Sequence, residues 1–205
     1  VKSEKLKVKS YRLLKGVDAV KDQTYFLYRL DQEQLKRLKF PLGELKKPEV
    51  RQIAGKTGLK TAGKTESQEI CFVDKDVPDF LKGRVKIKKG DILDKNSQKI
   101  GEHEGVPFYT IGQRKGLGGG FKAPMYVTGI AVAKNTITVG EEKDLYKKEV
   151  VFNETSWISG EFPIKKKLTA IIRYNMEEKE AASPEKMDGK YKTVFKEDVR
   201  AVTSG

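Results

Sequence analysis

The feature that most constrains this chain is a change of hydrophobic period between Ser67 and Gly90. Upstream, apolar residues fall at helical spacing between recognisable helix start and stop signals. Downstream they alternate with polar residues and turn residues recur at short intervals, the mark of antiparallel sheet. The sequence therefore predicts an α+β protein, and its 205 residues suit two or three small domains.

In the upstream part, residues 1–16 alternate charged and apolar positions and predict an extended segment. Over 19–30, Phe26, Leu27 and Leu30 take neighbouring helical positions behind Asp22. Lys21, Asp22 and Gln23 then fall either in the first turn of a helix or in a capped surface turn, which is locally the favoured alternative. Asp31 caps a second helix over 31–39, which Pro41 and Gly43 end. Pro48 opens a third, in the first turn where its missing N–H costs nothing, and Gly58 stops it. A polar loop over 61–67 follows, and then the β-prone Ile70-Cys71-Phe72-Val73, which places Cys71 at a loop-to-strand junction. Residues 79–81 predict a short turn before Gly83.

Downstream, 91–94 and 99–103 flank the turn Lys95-Asn96-Ser97 as a hairpin. Residues 108–111 lead into a glycine-rich loop over 112–120, and 126–132 and 136–139 enclose a turn at Lys134-Asn135. A second set of strands is expected over 149–152, 167–174, 190–195 and 199–203, with the spacing of a small barrel or sandwich. The chain opens on Val1 and closes on Gly205 in mid-pattern, so both ends read as cut.

Composition narrows the partners. Hydrophobic residues are 37% and charged residues 35%, the balance of a soluble globular protein. No apolar run approaches the roughly 20 residues of a membrane span and no signal segment opens the chain, so the reading is cytosolic. Lys and Arg number 42 against 29 Asp and Glu, a formal charge of +13 that favours a polyanion such as nucleic acid. The plain alternative is a lysine-rich composition that only solvates the surface. One cysteine, Cys71, and one histidine, His103, supply neither an internal disulfide nor a structural zinc site, and no metal is expected.

Few residue patterns carry chemistry. The loop over 112–120 lacks the order of a nucleotide phosphate loop and stands between strands, so it is not expected to hold ATP. Gln113, Arg114 and Lys115 beside its glycines suit contact with a nucleic-acid backbone, and equally suit a basic hairpin tip. His103 lies between Glu102 and Glu104, a setting that predicts an exposed turn and leaves no Ser-His-Asp or Cys-His arrangement. Cys71, between Ile70 and Phe72, has the pattern of an inert core thiol. A functional role needs a thiolate, whose formation a cation such as Lys64 would favour.

Four blocks change that balance. Residues 16–28 (GVDAVKDQTYFLY), 40–51 (FPLGELKKPEVR), 67–72 (SQEICF) and 109–118 (YTIGQRKGLG) resemble, in order, those of the tRNA-specific 2-thiouridylases. The similarity extends from near Leu13 to the end of the chain. It implies sulfur transfer to C2 of the wobble uridine, position 34, of tRNA, with ATP activating the base and a cysteine persulfide supplying sulfur. By this resemblance Cys71 is the persulfide cysteine, and Lys21, Asp22, Gln23, Arg173 and Tyr174 contact tRNA, with Arg114 and Lys115 as further candidates. A sulfur-donor protein, a desulfurase or a relay protein, is the other implied partner. The implied architecture is the helical end of an α/β ATP-pyrophosphatase domain over 1–82, a small β-rich central domain over 83–145 and an incomplete C-terminal β-barrel over 146–205. The family's Ser-Gly-Gly-x-Asp-Ser-Ser loop for ATP and its earlier cysteine are not among these residues. The chain alone is therefore expected to be inactive, and a non-catalytic tRNA-binding module is the alternative.

Overall fold

A computed structural model describes residues 10–65, 77–81, 83–118, 120–121, 123–164, 167–174 and 176–203. The fold mixes a few short helices with two sheets and divides into two units. One gathers Val1–Glu66, Val151–Lys166 and Ser183–Lys192; the other gathers Ser67–Val150, Lys167–Ala182 and Thr193–Gly205.

In the first unit, the helix expected over 19–30 shrinks to a 3-10 turn at Thr24–Leu27. Asp22 explains the difference: its carboxylate accepts from the Thr24 amide (3.1 Å) and hydroxyl (2.7 Å) and from the Gly16 amide (3.2 Å), which closes a capped loop. Helix α1 (Gln32–Leu35) starts where Asp31 predicts, with a reciprocal capping box between Asp31 and Gln34, but runs for one turn only. Its Gln32 side chain pairs with both backbone groups of Tyr11, at 2.8 and 2.9 Å, and also donates to the Ile158 carbonyl. Helix α2 (Lys47–Lys56) carries Pro48 in its first turn, and Gly58 turns left-handed beyond its end (φ 71°). Around Tyr191, the rings of Phe152, Trp157 and Phe162 lie at centroid distances of 5.8, 5.5 and 5.4 Å, an aromatic cluster drawn from segments distant in sequence.

The second unit contains helix α3 (Val77–Leu81) and a four-stranded sheet of order β2-β1-β4-β3. Its strands are β1 (Gly90–Leu93), β2 (Lys99–His103), β3 (Tyr126–Ala131) and β4 (Thr136–Gly140). The hairpins β1–β2 and β3–β4 match the sequence expectation, with Asn135 left-handed at the second turn. The antiparallel pairing expected here holds within the two hairpins but not between them: β1 and β4 run parallel, aligning Ile92 with Ile137. Those two residues form the centre of a core with Val106, Leu117, Val127 and Val139. Burying them side by side favours the parallel register.

His103 is not in an exposed turn. It ends β2 with 1% of its surface exposed. Gly90 is paired opposite it, and a Cβ there would lie 2.0 Å from the Asn135 oxygen and 2.7 Å from His103 Nε2. The absence of a side chain at Gly90 is what admits the imidazole.

The second sheet has order β5-β9-β7-β6, with β8 also on β9. It comprises β5 (Tyr146–Phe152), β6 (Leu168–Ala170), β7 (Lys179–Ala181), β8 (Glu185–Met187) and β9 (Lys190–Arg200). The two strands expected over 190–195 and 199–203 are one strand ending at Arg200, and β6 is shorter than the 167–174 expected. The charged run Lys196-Glu197-Asp198 does not interrupt β9, because Lys196 and Glu197 pair with Glu180 and Lys179 on β7 at 3.2 and 3.1 Å. Among the described residues this sheet is open, with no pair of strands closing a barrel. No helix among them is long and apolar enough to cross a membrane.

Candidate nucleic-acid interface

In the first unit, the loop carrying Lys21, Asp22 and Gln23 is held from below by two carboxylates. Asp18 accepts from the Lys47 amide at 2.9 Å and the Val20 amide at 3.2 Å, joining the loop to the start of α2. The Lys47 amide, first among these donors, holds the Asp18 carboxyl below its ordinary range. Partial burial would raise Asp22, but the hydrogen bonds from Thr24 and Gly16 outweigh it and leave that carboxyl lowered as well. Lys21 and Gln23 are exposed at the surface of the loop that Asp22 braces. The sequence places these three residues together, and the structure separates their roles: Asp22 faces its own loop.

In the second unit, the glycine-rich loop is pinned from within. The Tyr109 hydroxyl donates to the Gly116 carbonyl at 2.9 Å, and burial pushes the Tyr109 phenol up. Gln113 accepts from the Thr110 amide (3.1 Å) and donates to the Lys115 carbonyl (2.9 Å), while Leu117 is anchored in the core. Gln113 thus shapes the loop with its side chain, whereas Arg114 and Lys115 are exposed at its crest. Arg114 also borders a shallow cleft with Leu117, Phe121, Pro124 and Met125.

The structure brings Arg173 to this loop. At Gly112 (φ 87°) a Cβ would lie 3.4 Å from Arg173 Nη1, 3.5 Å from Arg200 Nη1 and 3.0 Å from Ala201 Cβ. Arg200, which sequence reasoning missed, is set by Glu142 (3.5 Å to Nε) and by the Tyr126 ring (5.5 Å). Tyr174, beside Arg173, is exposed. Cys71 and the rest of 66–76 lie outside the described residues.

Two further points concern nucleotides and metals. Gly58–Thr65 has the G-x-x-x-x-G-K-T order of a phosphate loop, which sequence reasoning also missed. Here it follows helix α2 through successive turns, without the preceding strand that such a loop needs. Among the described residues no group of three or more His, Cys, Asp or Glu could hold a metal ion.

Residues 1–75 match the family model described as tRNA methyl transferase HUP domain, and residues 78–141 the one described as tRNA methyl transferase PRC-barrel domain. A tRNA-specific 2-thiouridylase of Syntrophomonas wolfei is 45% identical over 200 residues, covering 97% of this chain and 59% of the relative. The chain belongs to the tRNA-specific 2-thiouridylase family. Family members of the same name from Carboxydothermus hydrogenoformans and Moorella thermoacetica are each 44% identical over 199 residues, covering 95% of this chain and 54% and 56% of the relatives. The chain thus spans a little over half the length of the 2-thiouridylases it matches.

Proposed function

We propose that these residues form part of a cytoplasmic tRNA-uridine 2-sulfurtransferase acting at C2 of the wobble uridine. The observation that carries this reading is 45% identity, over nearly the whole chain, to a relative named for that activity. Cys71 is assigned as the persulfide carrier: a thiolate accepts sulfane sulfur from a donor protein and presents it to a base turned out of its stack. ATP activates the base at a site in an N-terminal part that these 205 residues do not include. Lys21 and Gln23, braced by Asp22, and Arg173 with Tyr174 contact tRNA, and Arg114 and Lys115 add cations at the crest of the glycine-rich loop. The net charge of +13 supports a phosphate-rich partner.

The division at 1–82, 83–145 and 146–205 is retained as part of this proposal, with the first segment as the helical end of an ATP-pyrophosphatase domain and the last as an incomplete barrel. The HUP match over 1–75 supports the first assignment. By the same reading the 205 residues alone do not thiolate tRNA; a second reading, a non-catalytic tRNA-binding module, draws on the net charge of +13. Thiolation assays with and without ATP separate the two: sulfur incorporation by a protein that extends these residues to the relatives' length supports the first, and tRNA binding with no incorporation supports the second.

A further inference from the structure

We infer that the open cleft beside the glycine-rich loop is a stacking site for one unpaired nucleobase of bound RNA. The cleft has a free volume of about 330 Å³ and is lined by Arg114, Leu117, Phe121, Pro124 and Met125, with small residues between them. That volume falls at the low end of the range for small-ligand sites, the size of one base rather than of a folded peptide. At Gly118 and Gly120, both on the lining, a Cβ would meet nothing within 4 Å beyond the adjoining residues. The space there is open, and glycine serves the left-handed backbone at both positions (φ 80° and 98°).

The walls are fixed by the sheet as well as by the loop. Leu117 is buried, and Phe121 and Met125 lie half-buried against the core around Ile92 and Ile137. The loop itself is held by the Tyr109 hydroxyl on the Gly116 carbonyl and by the Gln113 amide on the Lys115 carbonyl, each at 2.9 Å. A phenyl ring, a thioether and a guanidinium are polarisable surfaces on which a base stacks. Apart from Arg114, no described side chain of the lining carries a hydrogen-bonding group, so binding depends on stacking and tolerates any base. Charge marks the occupant as a nucleotide rather than an apolar side chain of a protein. Arg114 and its neighbour Lys115 are exposed, and among the described residues no carboxylate pairs with either. A nucleotide brings its own phosphate to those cations, which an apolar side chain does not.

This inference rests on the proposed tRNA reading and adds Phe121 and Met125 to it. The test is binding by the chain, measured by filter binding across a salt series, of a tRNA transcript, a single-stranded oligoadenylate and an abasic oligomer of equal length. The abasic oligomer carries the same phosphates without bases. Wild type is expected to bind oligoadenylate about 5-fold or more tighter than the abasic oligomer. Ala123, an exposed residue of the lining, gives a variant, Ala123→Leu, that fills the cleft and keeps every cation. It is expected to lose that preference and to bind tRNA about 5-fold or more weakly, with the salt slope and the thermal midpoint unchanged. Arg114→Gln is instead expected to lower the slope by about 1 for all three ligands. Phe121→Trp keeps a flat ring and should retain the preference, and its added fluorescence over the single native Trp157 should be quenched by oligoadenylate and not by the abasic oligomer. Equal affinity of wild type for the two oligomers, or a preference that survives Ala123→Leu, overturns the base site while leaving the tRNA reading intact. If Ala123→Leu does not fold, the Phe121→Trp signal decides, and absence of quenching by oligoadenylate overturns the site. Absence of any tRNA binding by wild type overturns both.

Discussion

The buried ring of His103 meets the main-chain oxygen of Asn135 at 3.2 Å, so the end of β2 is tied to the turn between β3 and β4. A carbonyl only accepts, so Nε2 carries the donated proton. Asn135 is left-handed (φ 52°), and its side-chain amide donates to the Lys88 and Lys89 carbonyls at 3.2 and 2.8 Å. One residue therefore sets a turn, receives a buried imidazole and holds the entry to β1.

Asn135→Ala should destabilise the strand-rich unit by about 1–3 kcal/mol, through two lost hydrogen bonds and a disfavoured backbone. Asn135→Gly keeps the backbone and should cost less. Urea unfolding followed by tryptophan-independent probes such as far-ultraviolet dichroism gives the comparison; equal losses in both variants would remove the backbone contribution from this account.

The loop around Asp22 should respond to acid. Its carboxyl, like that of Asp18, is lowered in the folded protein. Such a group contributes stability above the unfolded carboxylate value of about 3.9, and that contribution is lost as pH falls through the lower folded value. Asp22→Asn should cost roughly 1 kcal/mol at pH 7 and less at pH 3. The same variant should weaken tRNA binding by disturbing Lys21. A loss independent of pH would contradict the proposed role of its charge.

Some of this organisation was legible in the residues. Asp31, Pro48 and the Lys134-Asn135 turn act through local backbone chemistry, which sequence displays directly. The parallel pairing of β1 with β4 was not, because it joins strands separated by a hairpin and a long loop, and only the shared burial of Ile92 and Ile137 selects it. Strands β7 and β8 are three charged-rich residues each, without apolar alternation to reveal them. His103 looked exposed because its neighbours Glu102 and Glu104 are; strand alternation turns it to the opposite face. At the candidate interface, Arg114 and Lys115 stood out beside glycines, whereas Arg200 gained its meaning only when β9 delivered it to Gly112.

Cations at the two loops should act on phosphates without reading sequence. Lys21→Ala and Lys115→Ala should each weaken tRNA binding uniformly across tRNA species and reduce the salt slope by about 1. A gel-shift series in salt checks this, and an unchanged slope would remove that lysine from the interface.

Nucleotide binding offers a separate test. The turns over Gly58–Thr65 lack the strand that would aim amides at a phosphate, so the 205 residues should give no ATP signal in titration calorimetry. A micromolar signal lost in Lys64→Ala would show that this segment binds phosphate after all.

The central claim is that Cys71 carries the transferred sulfur. The most direct measurement is 2-thiouridine in tRNA, by mass spectrometry of nucleosides, after reaction with a protein extending these residues to the relatives' length, as wild type and as Cys71→Ser. The expected result is loss of 2-thiouridine in Cys71→Ser with tRNA affinity within about twofold of wild type, a change worth roughly 0.4 kcal/mol. Thiolation retained in Cys71→Ser would contradict the account.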